Sequence, residues 1–356
     1  MIMSRNGLKL QFGVLVATIS SAIASAQTAY WTNNIVGGEL DHIGRARFGD
    51  KEEVIIPFRE PAALAIDVEE SRLYWTCLCL SQIHRCNLDG SECEALPIST
   101  VNSFGFALDV KNQRMYWTDL ALQMIRSANF DGGMIENVLE DRYNLGVIAL
   151  DLTNDRLYWS EGDYRIWRAN MDGSLAEELF RLDFAVGMVV DGARGKLYCS
   201  QRGLQGNRLW RANLDGSEME ILVPLSTSPS APDLDPEDGT VYWADWNGVR
   251  RLRADDAEPE TVVMGNNSYA LSYPFGFAVD LRRPGDCSED QRTDLMDHAA
   301  FVDCMRGPLE RLTRGCGCAD TDGDGRVRTT QQSSGCLAPR NLRACGGLPS
   351  WGGDAG

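Results

Sequence analysis

The 356-residue chain holds only three histidines, His42, His84 and His298, in unrelated contexts. No serine or cysteine stands in a pattern that marks a nucleophile, so no catalytic triad is spelled out. Positive charge is also scarce: 34 Lys and Arg face 51 Asp and Glu, for a formal net charge of −17. That balance argues against nucleic acid or an anionic membrane as partner, because both are bound mainly through cationic side chains, and it permits a basic ligand or cations. An acidic surface kept for solubility is the simpler reading of the same charge. Long apolar runs are missing too. The one near Phe12 to Ala24 is too short to span a bilayer.

That stretch follows Arg5 and Lys9 and precedes Ala24-Ser25-Ala26, which reads as a secretory signal peptide over residues 1–26, an uncleaved anchor being the alternative. The mature chain is then expected to be secreted, with no transmembrane span. Loss of two positive charges takes its net charge from −17 to −19, and residues 282–356 carry ten basic against eleven acidic side chains. Residues 27–281 therefore hold about −18.

What the chain has in abundance is a repeat. Tyr-Trp or a close variant stands at Tyr30-Trp31, Tyr74-Trp75, Tyr116-Trp117, Tyr158-Trp159, Tyr198-Cys199 and Tyr242-Trp243, in steps of 44, 42, 42, 40 and 44 residues. A period of that length means one small sheet per copy, and such sheets bury their faces only against each other. Seven residues before each of the last five tyrosines an aspartate closes a short apolar run: Asp67, Asp109, Asp151, Asp191 and Asp235. The run reads as a first strand and the Tyr-Trp segment as its antiparallel return. Third strands such as Ile166-Trp-Arg-Ala-Asn170 run into Asp89-Gly90, Asp131-Gly132, Asp172-Gly173 and Asp215-Gly216, which are hairpin turns because both residues tolerate positive φ. A fourth strand follows each.

Four antiparallel strands per period make a propeller blade. The first copy begins on a second strand, and Pro274-Phe-Gly-Phe-Ala-Val-Asp280 supplies the missing first strand from the other end. The fold expected is all-β, a six-bladed β-propeller over 27–281 closed by its C-terminal strand, followed by a small cysteine-rich tail of helix and loop over 282–356. The repeated aspartates resemble a metal ring, yet each sits at a strand-end turn where a carboxylate bonds local backbone N–H groups, so they are read as structural.

The spacing of Asp109 from Tyr116-Trp117-Thr118-Asp119, followed by the third-strand pattern Ile-x-Arg-Ala and then Asp-Gly, resembles the class B or YWTD repeat of low-density lipoprotein receptors. Tyr116, Trp117, Thr118 and Asp119 match its motif in full and are read as structural. Cys77 and Gln201 replace the motif aspartate elsewhere, Ser160-Glu161 replaces Thr-Asp, and Cys199 replaces tryptophan. The resemblance implies an extracellular, non-catalytic binding platform with no cofactor in the propeller.

Eleven cysteines suit an oxidising compartment, and the odd number leaves at least one free or paired between chains. Cys77, Cys79, Cys86 and Cys93 share one blade; a disulfide from Cys86 to Cys93 across the Asp89-Gly90 turn fits their placement, and a zinc site is the alternative, against which Cys-x-Cys is an unusual ligand spacing. Cys199 is the expected unpaired thiol.

The four-to-one and two-to-three connections emerge on one face and vary in length and chemistry, which is where function usually resides on a repeated scaffold. They carry Phe58, Arg59, Glu60, Arg142, Tyr143, Tyr164, Phe184, Trp246, Tyr269 and Tyr273, aromatic and arginine side chains typical of protein-interface anchors. The expected partner is a protein or peptide. Trp167 and Trp210, on third strands, read either as a lateral patch or as packing between blades.

In the tail, Asp320, Asp322 and Asp324 with Gly325 supply the first positions of an EF-hand-like calcium loop, although Arg328 and Gln331 stand where later ligands belong. Asp286, Ser288, Asp290, Asp294 and Asp297 fit the ligand spacing of a second loop that lacks the glycine. The tail resembles an eroded dockerin type I module and implies Ca2+-dependent docking, with a solvated acidic turn as the competing reading. The rival to a binding platform is a lactonase-type hydrolase with a central calcium, for which Glu60, Asn102, Asn144 and Asp183 are the nearest candidates.

Overall fold

The computed structural model describes residues 27–282 except 34–40, 79, 101, 163, 204–205, 246, 254–255, 257 and 265–273. Among the described residues there is no helix, only six four-stranded antiparallel sheets. Blades 2 to 6 span residues 61–99, 106–139, 145–181, 185–225 and 233–264, each in sequence order from an inner to an outer strand. Blade 1 is composite: Pro274–Asp280 forms its inner strand against Thr28–Asn33, with His42–Arg47 and Glu53–Pro57 outside. The C-terminal strand thus closes the ring, in the register Thr28 to Asp280 and Trp31 to Phe277.

Why Tyr-Trp repeats follows from strand geometry. Neighbouring residues of a strand point to opposite sheet faces, so the tyrosine of each blade faces one neighbour and the tryptophan the other. Six apolar clusters result, one at each blade junction. Tyr30 packs with Trp75, Tyr74 with Trp117, Tyr116 with Trp159, Tyr198 with Trp243, and Tyr242 with Trp31 across the closure. The remaining junction pairs Tyr158 with Cys199, and there Trp210 of the third strand, directly opposite Cys199, joins the cluster. One bulky ring is supplied from the facing strand where the usual strand lacks it.

The inner strands approach so closely that a β-carbon on Gly105 would stand 2.7 Å from the carbonyl oxygen of Gly146, and one on Gly276 would stand 2.6 Å from that of Ala62. Glycine is required there by proximity rather than by φ. The hydroxyl after each tryptophan stitches these strands together. Thr118 Oγ1 accepts the Gly105 N–H at 3.0 Å within its own blade and donates to the Gly146 carbonyl of the next at 2.9 Å. Thr32 does the same between Gly276 and Ala62, and Thr76 between Ala63 and Ser103. Blade 6 has Ala244 in this place, and Ser230 compensates by accepting the Ala244 N–H at 2.9 Å.

Each aspartate ending an inner strand accepts backbone N–H groups of its own turn: Asp67 from Glu70, Asp109 from Asn112, Asp151 from Thr153 and Asn154, Asp191 from Arg194, Asp235 from Glu237, and Asp280 from Arg282. A further repeated contact was not read from the sequence. Arg45, Arg85, Arg168, Arg211 and Arg251 on third strands pair with Glu53, Glu94, Glu177, Glu220 and Glu260 on fourth strands. Arg45, Arg85 and Arg168 also donate to the carbonyls of Leu88, Phe130 and Leu214 in another blade's Asp-Gly turn. An arginine followed by a glutamate eight or nine positions later was the signal available.

Ring closure also runs through a carboxylate. Asp233 on the inner strand of blade 6 accepts the Val279 N–H of the closing strand and the Leu234 N–H, both at 2.8 Å, one on each oxygen. It is half-buried in the apolar lining of the central channel, and desolvation there pushes its pKa up to about 6 against the two N–H donors, with Asp235 adding to the rise.

Two outcomes are expected. Thr118→Val leaves the Gly105 N–H and the Gly146 carbonyl buried without their partner, costing about 2 kcal/mol or more in urea denaturation; a change below about 0.5 kcal/mol would remove the hydroxyl from the ring's support. For Asp233, a folded pKa above the unfolded value of about 3.9 contributes stability at low pH that is lost as pH rises through about 6. Stability of the wild type relative to Asp233→Asn should therefore fall between about pH 4 and pH 6 and be level above, whereas a difference constant across that window contradicts the assignment.

Candidate functional site

The two faces of the ring are built differently. On the one-to-two and three-to-four face, Gly90, Gly132, Gly173 and Gly216 all adopt positive φ of 81–85°. Asp89, Asp131, Asp172 and Asp215 each accept the backbone N–H two residues on, at 2.8–2.9 Å. These carboxylates hold their own turn in every one of the four copies.

The opposite face keeps a common backbone beneath differing side chains. Ser81, Gln123 and Tyr164 occupy one position in successive two-to-three turns, with φ of 52°, 57° and 65°. Their carbonyls accept the N–H groups of Thr100, Arg142 and Leu182 in the connection to the next blade. A left-handed backbone is uncommon for a bulky residue, so tyrosine is a poor choice for the turn as such. Tyr164 nonetheless stands 54% exposed, with Tyr143 at 70% and Phe184 at 56%.

The backbone segments that carry these three rings are hydrogen-bonded to one another. The Tyr143 carbonyl accepts the Gly162 N–H at 3.0 Å, and the Tyr164 carbonyl accepts the Leu182 N–H at 2.7 Å, two residues before Phe184. Three connections flanking blade 4 are thereby tied edge to edge. Exposed Leu122 of the adjacent two-to-three turn and Leu80 of the one before extend the apolar side chains along the same face.

Other residues expected at the site have different placements. Phe58 turns inward and packs edge-on against Trp75 and His84, ring centroids 5.3 and 4.7 Å apart. Arg142 is fixed beneath the surface, its guanidinium 5.5 Å from the Trp159 ring, 5.3 Å from that of Trp167 and 3.7 Å from the Glu161 carboxylate. Both are drawn into blade packing because the second-strand tryptophan leaves a broad ring face to be covered. Arg59 and Glu60 are exposed to different degrees and form a loose ion pair at 3.8 Å. Trp246, Tyr269, Tyr273 and the tail carboxylates at 286–297 and 320–324 lie outside the described residues.

The third-strand tryptophans resolve as packing rather than a lateral patch. Trp167 stands opposite Trp159 and stacks on it, centroids 6.1 Å apart at 15°. His84 covers Trp75 and Arg126 covers Trp117 in the same manner. Trp210 instead shields Cys199, whose thiol pKa is pushed up by complete burial.

The central channel, about 260 Å³, is walled by inner-strand Ala, Val, Leu and Ile, and Asp233 is the only carboxylate among its described lining residues. Glu60, Asn102 and Asn144 stand instead at left-handed positions ahead of the inner strands, φ 49°, 51° and 51°. Asn102, Asn144 and Asp183 are exposed. Among the described residues no three His, Cys, Asp or Glu side chains gather as metal ligands. The zinc reading of the blade 2 cysteines is also corrected: Cys86 lies opposite Leu73, four residues along the strand from Cys77, a separation of roughly 13 Å.

Residues 113–151 match the low-density lipoprotein receptor repeat class B. The matched stretch runs from the second strand of blade 3 to the inner strand of blade 4, so the class B repeat is offset from the blade by one strand. No curated protein matches the chain. Among solved structures, a chain from the crystal structure of a nidogen/laminin complex is similar with a TM-score of 0.58 and 20% identity, covering 71% of this chain and 98% of that one. A chain assigned as a TolB from Agrobacterium tumefaciens has a TM-score of 0.52 and 13% identity, covering 66% and 88%. At these identities the likeness is one of fold. No helix among the described residues is long and apolar enough to cross a membrane.

The contrast between packing and exposed rings can be measured. Trp210→Ala should cost about 2 kcal/mol or more in stability, since it opens a cavity over Cys199, whereas Phe184→Ala should stay within about 0.5 kcal/mol. Equal losses in thermal or urea unfolding would mean that Phe184 belongs to the core.

Proposed function

We propose that this chain is an exported, non-catalytic binding platform that takes a protein or peptide on the face carrying the two-to-three and four-to-one connections, centred on Tyr143, Tyr164 and Phe184. One observation carries the reading: three large rings are held solvent-exposed on backbone-linked turns, one of them at a left-handed position that gains nothing from tyrosine. Rigid aromatic side chains in that setting bury much area on binding at little entropic cost. The class B repeat match supports a binding module, and the nidogen/laminin likeness supports a protein partner.

Arg59 and Glu60, in the connection from blade 1 to blade 2, offer polar contacts elsewhere on the same face. A hydrolase reading finds less support, because the channel wall is apolar and Asp233 is already engaged by two N–H groups. The tail's calcium loop at Asp320, Asp322 and Asp324 remains an additional docking element of the proposal, resting on ligand spacing alone.

Binders selected from a displayed peptide library on the mature chain test the proposal. Combined Tyr143→Ala, Tyr164→Ala and Phe184→Ala should weaken them at least about tenfold while the melting temperature stays constant. Met134→Ala with Leu175→Ala, on the opposite face, should leave them unchanged. Binders indifferent to the three rings, or turnover in a lactone and ester screen, would overturn the reading.

A further inference from the structure

Blade 2 departs from its sisters at two positions that face each other. On the third strand, where blades 3, 4 and 5 carry Ala128, Ala169 and Ala212, it has Cys86. Seven residues on, past the Asp-Gly turn, the sisters carry Ile135, Ala176 and Met219, and blade 2 has Cys93. Arg85 pairs with Glu94 and His84 with Ala95 across this hairpin, so the next step of the same register sets Cys86 opposite Cys93. Directly opposed β-carbons lie about 4.5–5.5 Å apart, close to the roughly 3.5–4.5 Å that a disulfide spans.

Both sulfurs are free thiols here, Cys86 buried and Cys93 exposed. Burial pushes the Cys86 thiol pKa up, and the Cys93 side chain beside it adds to the rise. Cys93 Sγ also donates to a turn carbonyl, that of Gly90, at 3.2 Å. Cys86 is fully buried in the apolar cluster between blades 1 and 2, whereas Cys93 lies outside it. Cys77 differs in having a local structural role, since it stands in the motif-aspartate position and accepts the Leu80 N–H as Asp119 accepts that of Leu122.

We propose that Cys86 and Cys93 are a built disulfide site, closed across the Asp89-Gly90 hairpin when the chain meets a disulfide oxidant. The exposed Cys93 thiolate attacks the oxidant disulfide, forming a mixed disulfide and releasing one thiol. Cys86, after losing its proton to solvent, displaces the second thiol. The protein loses two hydrogens, and the oxidant is reduced to two thiols. This inference stands apart from the binding reading, since the hairpin lies on the opposite face of the ring.

Full-length protein treated with oxidised glutathione, alkylated and digested with trypsin gives a test in one fragment, Cys86 to Lys111. Expected is a fragment without alkyl label and lighter by two hydrogens, whose halves after cleavage at Glu92 stay joined until reductant is added. Cys199, buried on another blade, serves as a thiol that labels only on unfolding. In Cys93→Ser, Cys86 should likewise label only on unfolding, and the melting temperature should no longer fall when reductant is added. Alkylation of Cys93 after oxidation, its linkage to any other cysteine, or an oxidised fragment whose halves separate without reductant would overturn the proposal.

Discussion

A sheet of four strands has two faces to bury, and among the described residues no helix covers either. The chain meets that constraint by placing two adjacent large side chains on the second strand of each blade, so that one serves each face. Every junction then holds a tyrosine from one blade and, in five of the six, a tryptophan from the next, and the ring must close because any open end would leave one of the two exposed. The hydroxyl that follows the tryptophan acts on the same junction at shorter range. It satisfies an amide of its own inner strand and a carbonyl of the neighbour's, where glycines have brought the two backbones too close for a side chain. Tyr-Trp-Thr is thus a unit of assembly between sheets more than of any single sheet.

Closure by the C-terminal strand follows from the same unit. The stretch matching the class B repeat begins on the second strand of blade 3 and ends on the inner strand of blade 4; a period with that offset bridges a junction, and the last one reaches back to blade 1. The Tyr30, Trp31 and Thr32 of the first copy find Ala278, Phe277 and Gly276 as partners from the far end of the propeller. A carboxylate with a raised pKa lies beside this closure. Asp233 holds Val279 by giving each oxygen to an N–H group, at the expense of burying a carboxylate in an apolar wall.

The scaffold was legible because its causes are local or periodic. Asp-Gly turns, the aspartates capping inner strands and the alternation within Tyr-Trp all declare themselves within a few residues. Side-chain direction on the variable face was not legible. Phe58 and Tyr143 both stand in four-to-one connections and look alike in sequence, yet Phe58 meets the unshared edge of Trp75 and turns in, while over Trp159 that space is already taken by Arg142 and Trp167. Which ring points outward depends on what the third strand places over the tryptophan, a contact eight or nine residues away in sequence. The arginine clips escaped notice for a similar reason: Arg168 and Glu177 form one contact only after the hairpin has folded them together.

Departures from the repeat separate into two kinds, and the difference bears on function. Some are matched inside the molecule. Cys199 lacks the ring that Trp210 restores across the strand pair; Ala244 lacks the hydroxyl that Ser230 supplies; Ser127 stands where third strands carry arginine, and Arg114 on the adjacent strand bonds both Ser127 and Glu136 in its stead. In each case one change makes physical sense only with its partner, and the net effect is an unchanged junction. Cys86 and Cys93 have the same form, two changes facing each other in one register. Tyr143, Tyr164 and Phe184 do not. Their backbones keep the common hydrogen bonds of the turn, while their rings have no counterpart elsewhere in the described fold that would require them. Exposed rings without an internal partner stand on three adjoining turns, at Tyr164 on a left-handed backbone besides, and these are the contacts that the proposed binding reading would use.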